Sequence, residues 1–198
     1  VKYLNENNDL KIYERLIKEI IKNKEHILSK EEEKILANYS EIFSNSENTY
    51  DILTNTEFKF GNIKDENGKE VEMTDSNYTN FLKSQNEDVR KQAFYLMYKK
   101  YKEFLNTIGE LYLSRVKQDT ITAKLRKYSS SLEKAVDNDD SNINVYNALI
   151  EAIHEEIGAN HEFIKLKKKL LNKDELHIYD VYVNPIRAKD DKVSFEDA

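Results

Sequence analysis

Apolar residues in this chain recur mostly at three- and four-residue steps, the period of a helix with one buried face. Leu10, Tyr13, Leu16, Ile17, Ile20 and Ile21 form one such stripe and predict a helix over about 9–24. Ser29-Lys30-Glu31-Glu32 has the capping-box pattern and opens a second helix carrying Ile35, Leu36, Tyr39 and Ile42. A third, short helix follows Ser46 and carries Tyr50 and Leu53. The period then changes. Phe58-Lys59-Phe60 and Val71-Glu72-Met73 alternate around Asp65-Glu66-Asn67-Gly68, a turn in which Asn-Gly readily takes positive φ. That pattern predicts a small β-hairpin over about 57–73.

Helical spacing returns at once. Thr74 caps a helix with Tyr78, Phe81 and Leu82 on its apolar side. Ser84-Gln85-Asn86-Glu87 is a second capping-box pattern, and the stripe behind it runs through Val89, Ala93, Leu96, Met97, Tyr101, Phe104, Ile108, Leu111 and Val116 to about Arg126. Forty residues at ~1.5 Å each span roughly 60 Å. A compact chain of this length has a radius of gyration of only about 16 Å. The pattern therefore predicts either a break, near Gly109, or an elongated chain. Asp137 to Asn142 reads as a linker and N-cap cluster. It is rich in carboxylates but lacks the Gly and Glu of a calcium loop, whose places hold Asn142 and Ala148. A last helix over about 145–171 carries Leu149, Ile153, Ile157 and Ile164, and Leu176 to Ile186 alternates in part and stops at Pro185. The expected fold is mainly α: an elongated multi-helix lobe with one small β-hairpin. Residues 1–83 form a helical segment with the hairpin, and 84–198 a long-helix segment ending in an extended tail.

Composition agrees, since one proline and four glycines in 198 residues leave few breakers. The net charge of −6 argues against a nucleic-acid partner. The basic run Lys167-Lys168-Lys169 lies in a Glu-rich helix and reads as a solvated helix end. With no cysteine, disulfides, thiolate catalysis and Cys-based zinc sites are excluded. No apolar run approaches the ~18 residues of a membrane span. A cytoplasmic protein is the expectation. Because the chain opens on Val1 and closes on a polar tail, it is also expected to be a piece of something longer.

One stretch carries candidate chemistry. "IHEEIGANHE", 153–162, begins as a zinc-protease helix would, with His154-Glu155. That chemistry needs a second His four residues on, so that both imidazoles share one ion while the Glu activates water. The fourth position here is Gly158, and His161 is about 10 Å along the axis. His154 and His161 are instead expected as half-buried members of a flank beside the apolar stripe. His26, in the link between the first two helices, and His177, among Asp174, Glu175 and Asp180, are expected to pack or hydrogen-bond. A divergent metal protein using His154, His161 or His177 stays as a weaker alternative. No Ser–His–Asp or phosphate-loop pattern is present.

Three ordered segments resemble the oligoendopeptidase F family of thimet-oligopeptidase-like zinc peptidases. They are "LSKEEEKILANYSEIF" with "FKFGNIKDENGKEVEMTDSNYTNFL"; "DVRKQAFYLMYKKYKEFLNTIGELY" with "RKYSSSLEKAV"; and "NVYNALIEAI" with "LKKKLLNKDELHIYDVYVNPI". The resemblance covers about Asp9 to Ile186, with Asn184 as a local insertion before Pro185. It implies an almost wholly helical fold in which two halves enclose a channel for short peptides. It further implies zinc held by an H-E-x-x-H helix and a downstream Glu in the carboxyl-terminal half, activating water with the motif Glu as general base. That motif is absent from this sequence, so no catalytic, cofactor-binding or metal residue is carried over. The implied role is a non-catalytic helical lobe forming one channel wall, with oligopeptide substrate and the missing catalytic half as partners and zinc expected in that half. Tyr98, Tyr101, Tyr112 and Tyr128 are open between core and channel. The alternative is a stand-alone helical interaction module with no enzymatic parent.

Overall fold

The computed structural model describes residues 8–186. They are mainly helical, with one two-stranded antiparallel sheet among them. In chain order the elements are α1 (Glu14–Asn23), α2 (Lys30–Phe43), α3 (Asn45–Asp51), β1 (Asn62–Lys64), β2 (Glu70–Glu72), α4 (Asp75–Leu82), α5 (Glu87–Glu103), α6 (Leu105–Leu125), α7 (Ser131–Asn138) and α8 (Ile143–Leu170). Short 3-10 turns cover Asn8–Tyr13, Lys24–His26 and Ile178–Asp180, and a π-turn covers Ile52–Glu57. The partly alternating stretch 176–186 forms no strand and holds the 178–180 turn, and the rest of the expected tail lies outside the described residues.

Most boundaries sit where the caps predict them. Ser29 and Glu32 close a reciprocal capping box on α2, and Thr74 with Asn77 does the same on α4. Asn142 caps α8 through its Oδ1, which accepts from the backbone N–H of Asn144 and Val145. The hairpin pairs Asn62 with Glu72, Ile63 with Val71 and Lys64 with Glu70. Its turn is held by Asp65 Oδ1, which accepts from the N–H of Asn67 and Lys69, with Gly68 at φ +75°. Phe58 and Phe60 precede the paired strand rather than belonging to it.

Four expectations change. The first helix begins as a 3-10 turn, and α1 starts only at Glu14. The box expected from Ser84 to Glu87 is not formed. Asn86 caps α5, while the Ser84 hydroxyl donates to Glu66 and accepts from the Asn86 N–H. The long helical pattern does break, but at Phe104 (φ −111°, ψ 16°) rather than at Gly109. The Phe104 ring tilts onto Phe58 at 5.1 Å, so packing places the break, not helix propensity. Finally, α7 was not anticipated, although Ser130 caps it by accepting from the Glu133 N–H.

Packing divides the chain into two compact units: Val1–Asp51 with Thr107–Ile150, and Ile52–Asn106 with Glu151–Ala198. The second holds nearly all of the core. Phe58, Phe60, Ile63, Met73, Leu82, Val89, Ala93, Met97, Tyr179 and Val183 are buried there, and α4, β1 and the 178–180 turn all pack on α5. In the first, Ala123 is the one fully buried apolar residue among those described. Its helices α1, α2 and α3 bury no residue completely.

Candidate functional site

In the second unit, a charged cluster sits where the stripe of α5 should be apolar. Arg90 lies on the same face as Val89, Ala93 and Met97, and is 2% exposed. Its Nε and Nη2 donate to Asp180 Oδ1 at 3.1 and 2.6 Å, and Nη1 donates to the carbonyls of Ser84 and Gln85 at 2.8 and 3.1 Å. Asp180 is completely buried, and its Oδ2 accepts from Lys173 Nζ at 2.9 Å and from the His177 N–H at 3.1 Å. Lys173 reaches Glu87 as well, at 2.8 Å. Lys167 of α8, expected in a solvated helix end, is instead buried, because it donates to the Val181 carbonyl of the segment packed over it.

Burial pushes the Asp180 carboxyl up, but bonds from Lys173, Arg90 and the His177 N–H outweigh it and hold the group below its ordinary 3.8. Burial also lowers Lys167 and is only partly offset by Asp180. Among the described residues, no buried side-chain nitrogen or oxygen lacks a partner. The network is thus engaged within the chain at every buried polar atom. Its effect is to clamp residues 173–181 to α5 and to the end of α8.

The first unit has its own network. His26 Nδ1 lies 2.7 Å from the Arg126 carbonyl, which can only accept, so that nitrogen carries the proton. The His26 ring stacks on Tyr128 at 3.7 Å. Tyr128 donates to Asp137 at 2.9 Å, and Lys22 reaches the same carboxylate at 2.6 Å. Desolvation first, and Asp137 second, push the Tyr128 hydroxyl up to about 12. Arg126 makes a two-pronged pair with Glu33, 3.0 Å on each side. These bonds tie the 24–26 turn and the start of α2 to the end of α6. An apolar cavity of about 390 Å³ lies between α3 and α6, lined by Tyr50, Ile108, Leu111 and Tyr112, with the Arg115–Glu47 pair (2.6 Å) at its edge.

The histidines of the zinc question do not converge. His154 and His161 are both exposed, which corrects the expected half-buried flank: nothing in the described residues packs over that part of α8. His177 is exposed and stacks on Tyr179 at 4.9 Å. No group of three His, Asp or Glu placed to hold a metal occurs among the described residues, so the residues present do not fit a zinc site. Of the tyrosines, Tyr98 and Tyr112 are exposed, and Tyr101 and Tyr128 are half-buried. Sequence reasoning missed the Arg90–Asp180 cluster, although a cation on an apolar stripe, as at Arg90 and Lys167, was the available signal.

Family models decide the relationship. One described as Oligopeptidase F matches residues 1–60, and one described as Peptidase family M3 matches residues 80–198. This chain belongs to peptidase family M3, in its oligoendopeptidase F branch. Oligopeptidase PepF of Bacillus subtilis (strain 168) is 39% identical over 99% of the chain. An oligoendopeptidase F homolog of Lactococcus lactis subsp. lactis is 34% identical over the same share. The crystal structure of oligoendopeptidase-F from Enterococcus faecium matches with a TM-score of 0.86 and 33% identity, over 94% of this chain and 37% of that one. The chain spans only about a third of these curated M3 relatives, 29% and 32% of their lengths. The H-E-x-x-H motif expected of the oligoendopeptidase F branch does not occur in it.

Proposed function

We propose that this chain is a non-catalytic helical region of an oligoendopeptidase F-type peptidase, and that it forms one wall of a channel admitting short peptides for internal cleavage. The observation that supports this is the 39% identity to an oligopeptidase running over 99% of the chain. Zinc dependence is general in the M3 family. Among the described residues no group of side chains is placed to hold zinc, and no step of hydrolysis is assigned to them. Their contribution is enclosure, with oligopeptide and the catalytic portion as partners and the cytoplasm as the site of action. No helix among the described residues is long and apolar enough to cross a membrane.

The test is to read the gene beyond residue 198 and express the longer polypeptide beside this chain. A quenched fluorescent peptide should be cleaved by the longer protein and not by the chain alone. Cleavage by the chain alone, blocked by a chelator, overturns the reading. A stop codon at residue 198 would favour a stand-alone interaction module. The many exposed apolar side chains weigh against that alternative, because a self-sufficient domain rarely leaves such faces open.

A further inference from the structure

Along α8 the exposed apolar side chains fall into two groups, which start in its uncovered part. Every residue from Asn144 to Phe163 is exposed. Ile153 is 55% and Ile157 41% exposed on one side. Phe163 (57%), Leu166 (53%) and Leu170 (48%) lie on another. At 3.6 residues per turn the two groups are about 120–130° apart around the axis. Glu151, Glu155 and Glu162 occupy the remaining ridge. The first side is continuous with the seam on which Ile164, Lys167 and Leu171 pack into the second unit. The two groups thus spread over about half the circumference, with Glu156 and Asn160 between them, whereas an amphipathic surface helix shows a single stripe. In water such a helix has little to hold it beyond its own backbone bonds.

We infer that this stretch of α8 is an interior helix of the complete protein, and that its two apolar sides are covered by the polypeptide M3 relatives carry outside the matched third. This rests on the function proposed above and names the surface through which the two portions meet. The length of the relatives supplies the occupant, since this chain covers 29–32% of them. The geometry disfavours a second copy. One symmetric helix pair would seal one side and leave the other wet.

Hydrogen exchange over 144–163 tests the inference, in this chain and in the longer polypeptide read from its gene. We expect fast exchange in the chain and at least about 100-fold slower exchange in the longer protein. Equal, fast exchange in both overturns the inference. So does slow, concentration-dependent exchange in the chain alone with sedimentation as a dimer, which would assign the face to a second copy. The double variant Ile153→Glu, Ile157→Glu should leave the melting temperature of the chain unchanged, because both side chains are already exposed, and should lower that of the longer protein by several degrees. No change in the longer protein overturns the inference. Peptidase activity separates the two readings. A longer protein that protects 144–163 but cleaves nothing keeps the interface and loses the function. One that cleaves peptide while 144–163 exchanges freely does the reverse.

Discussion

Asp180 shows how much one buried charge can fix. Its two oxygens accept from Arg90, Lys173 and the His177 N–H. Asp180→Asn leaves two cations facing a neutral amide, and Arg90→Met leaves the carboxylate without its main partner. Breaking one side of a buried pair costs about 3–5 kcal/mol, so both variants should lower the midpoint of urea unfolding followed by circular dichroism. The pH dependence has a definite sign. The folded carboxyl titrates below its ordinary 3.8, so its stabilising effect is complete above the unfolded value and is lost as pH falls through the folded one. The gap between wild type and Asp180→Asn should hold from pH 7 to about pH 5, begin to narrow near about pH 4 and close only as pH falls through the lowered folded value. The sequence marked this site only through Arg90 and Lys167, charged residues on apolar stripes. Which carboxylate Arg90 met was not legible, because Asp180 is 90 residues from it along the chain.

Helices, caps and the hairpin turn were legible because each is written in residues close in sequence: Ser29 with Glu32, Thr74 with Asn77, Asp65 with Gly68. The break at Phe104 and the failed box at Ser84 were not, because a distant residue decides each: Phe58 for the first and Glu66 for the second. Phe58 is 6% exposed and touches Phe60, Tyr101 and Phe104. Phe58→Ala should therefore cost about 3–5 kcal/mol, read as a lower urea midpoint. The glycines give the opposite contrast. A Cβ at Gly109 or Gly158 meets nothing within 4 Å, and both sit inside helices, so Gly109→Ala and Gly158→Ala should each stabilise this chain by about 0.5–1 kcal/mol. Gly68→Ala also meets open space but must adopt φ +75°, and should destabilise by about 1 kcal/mol. Thermal melts of the three variants check the signs directly.

At the scale of the molecule, the histidine-rich stretch of α8 poses a question that the family assignment sharpens. A zinc peptidase relative makes His154 and His161 tempting ligands, yet one turn past His154 stands Gly158, both imidazoles are exposed, and no group of three side chains placed to hold a metal occurs among the described residues. Two rigid side chains about 10 Å apart along one helix do not share an ion whose ligand bonds are about 2 Å. If the metal belongs to residues outside this chain, three measurements must agree. The chain alone should retain only substoichiometric zinc after dialysis. The longer polypeptide should retain about one zinc per chain and lose its peptide cleavage on chelation. In that longer protein, the double variant His154→Ala, His161→Ala should keep its zinc and its activity within about two-fold, whereas loss of a true ligand costs at least about 10–100-fold in metal affinity. Metal loss in that variant would return the site to α8 and would require the helix to bend at Gly158 so that the two imidazoles could meet.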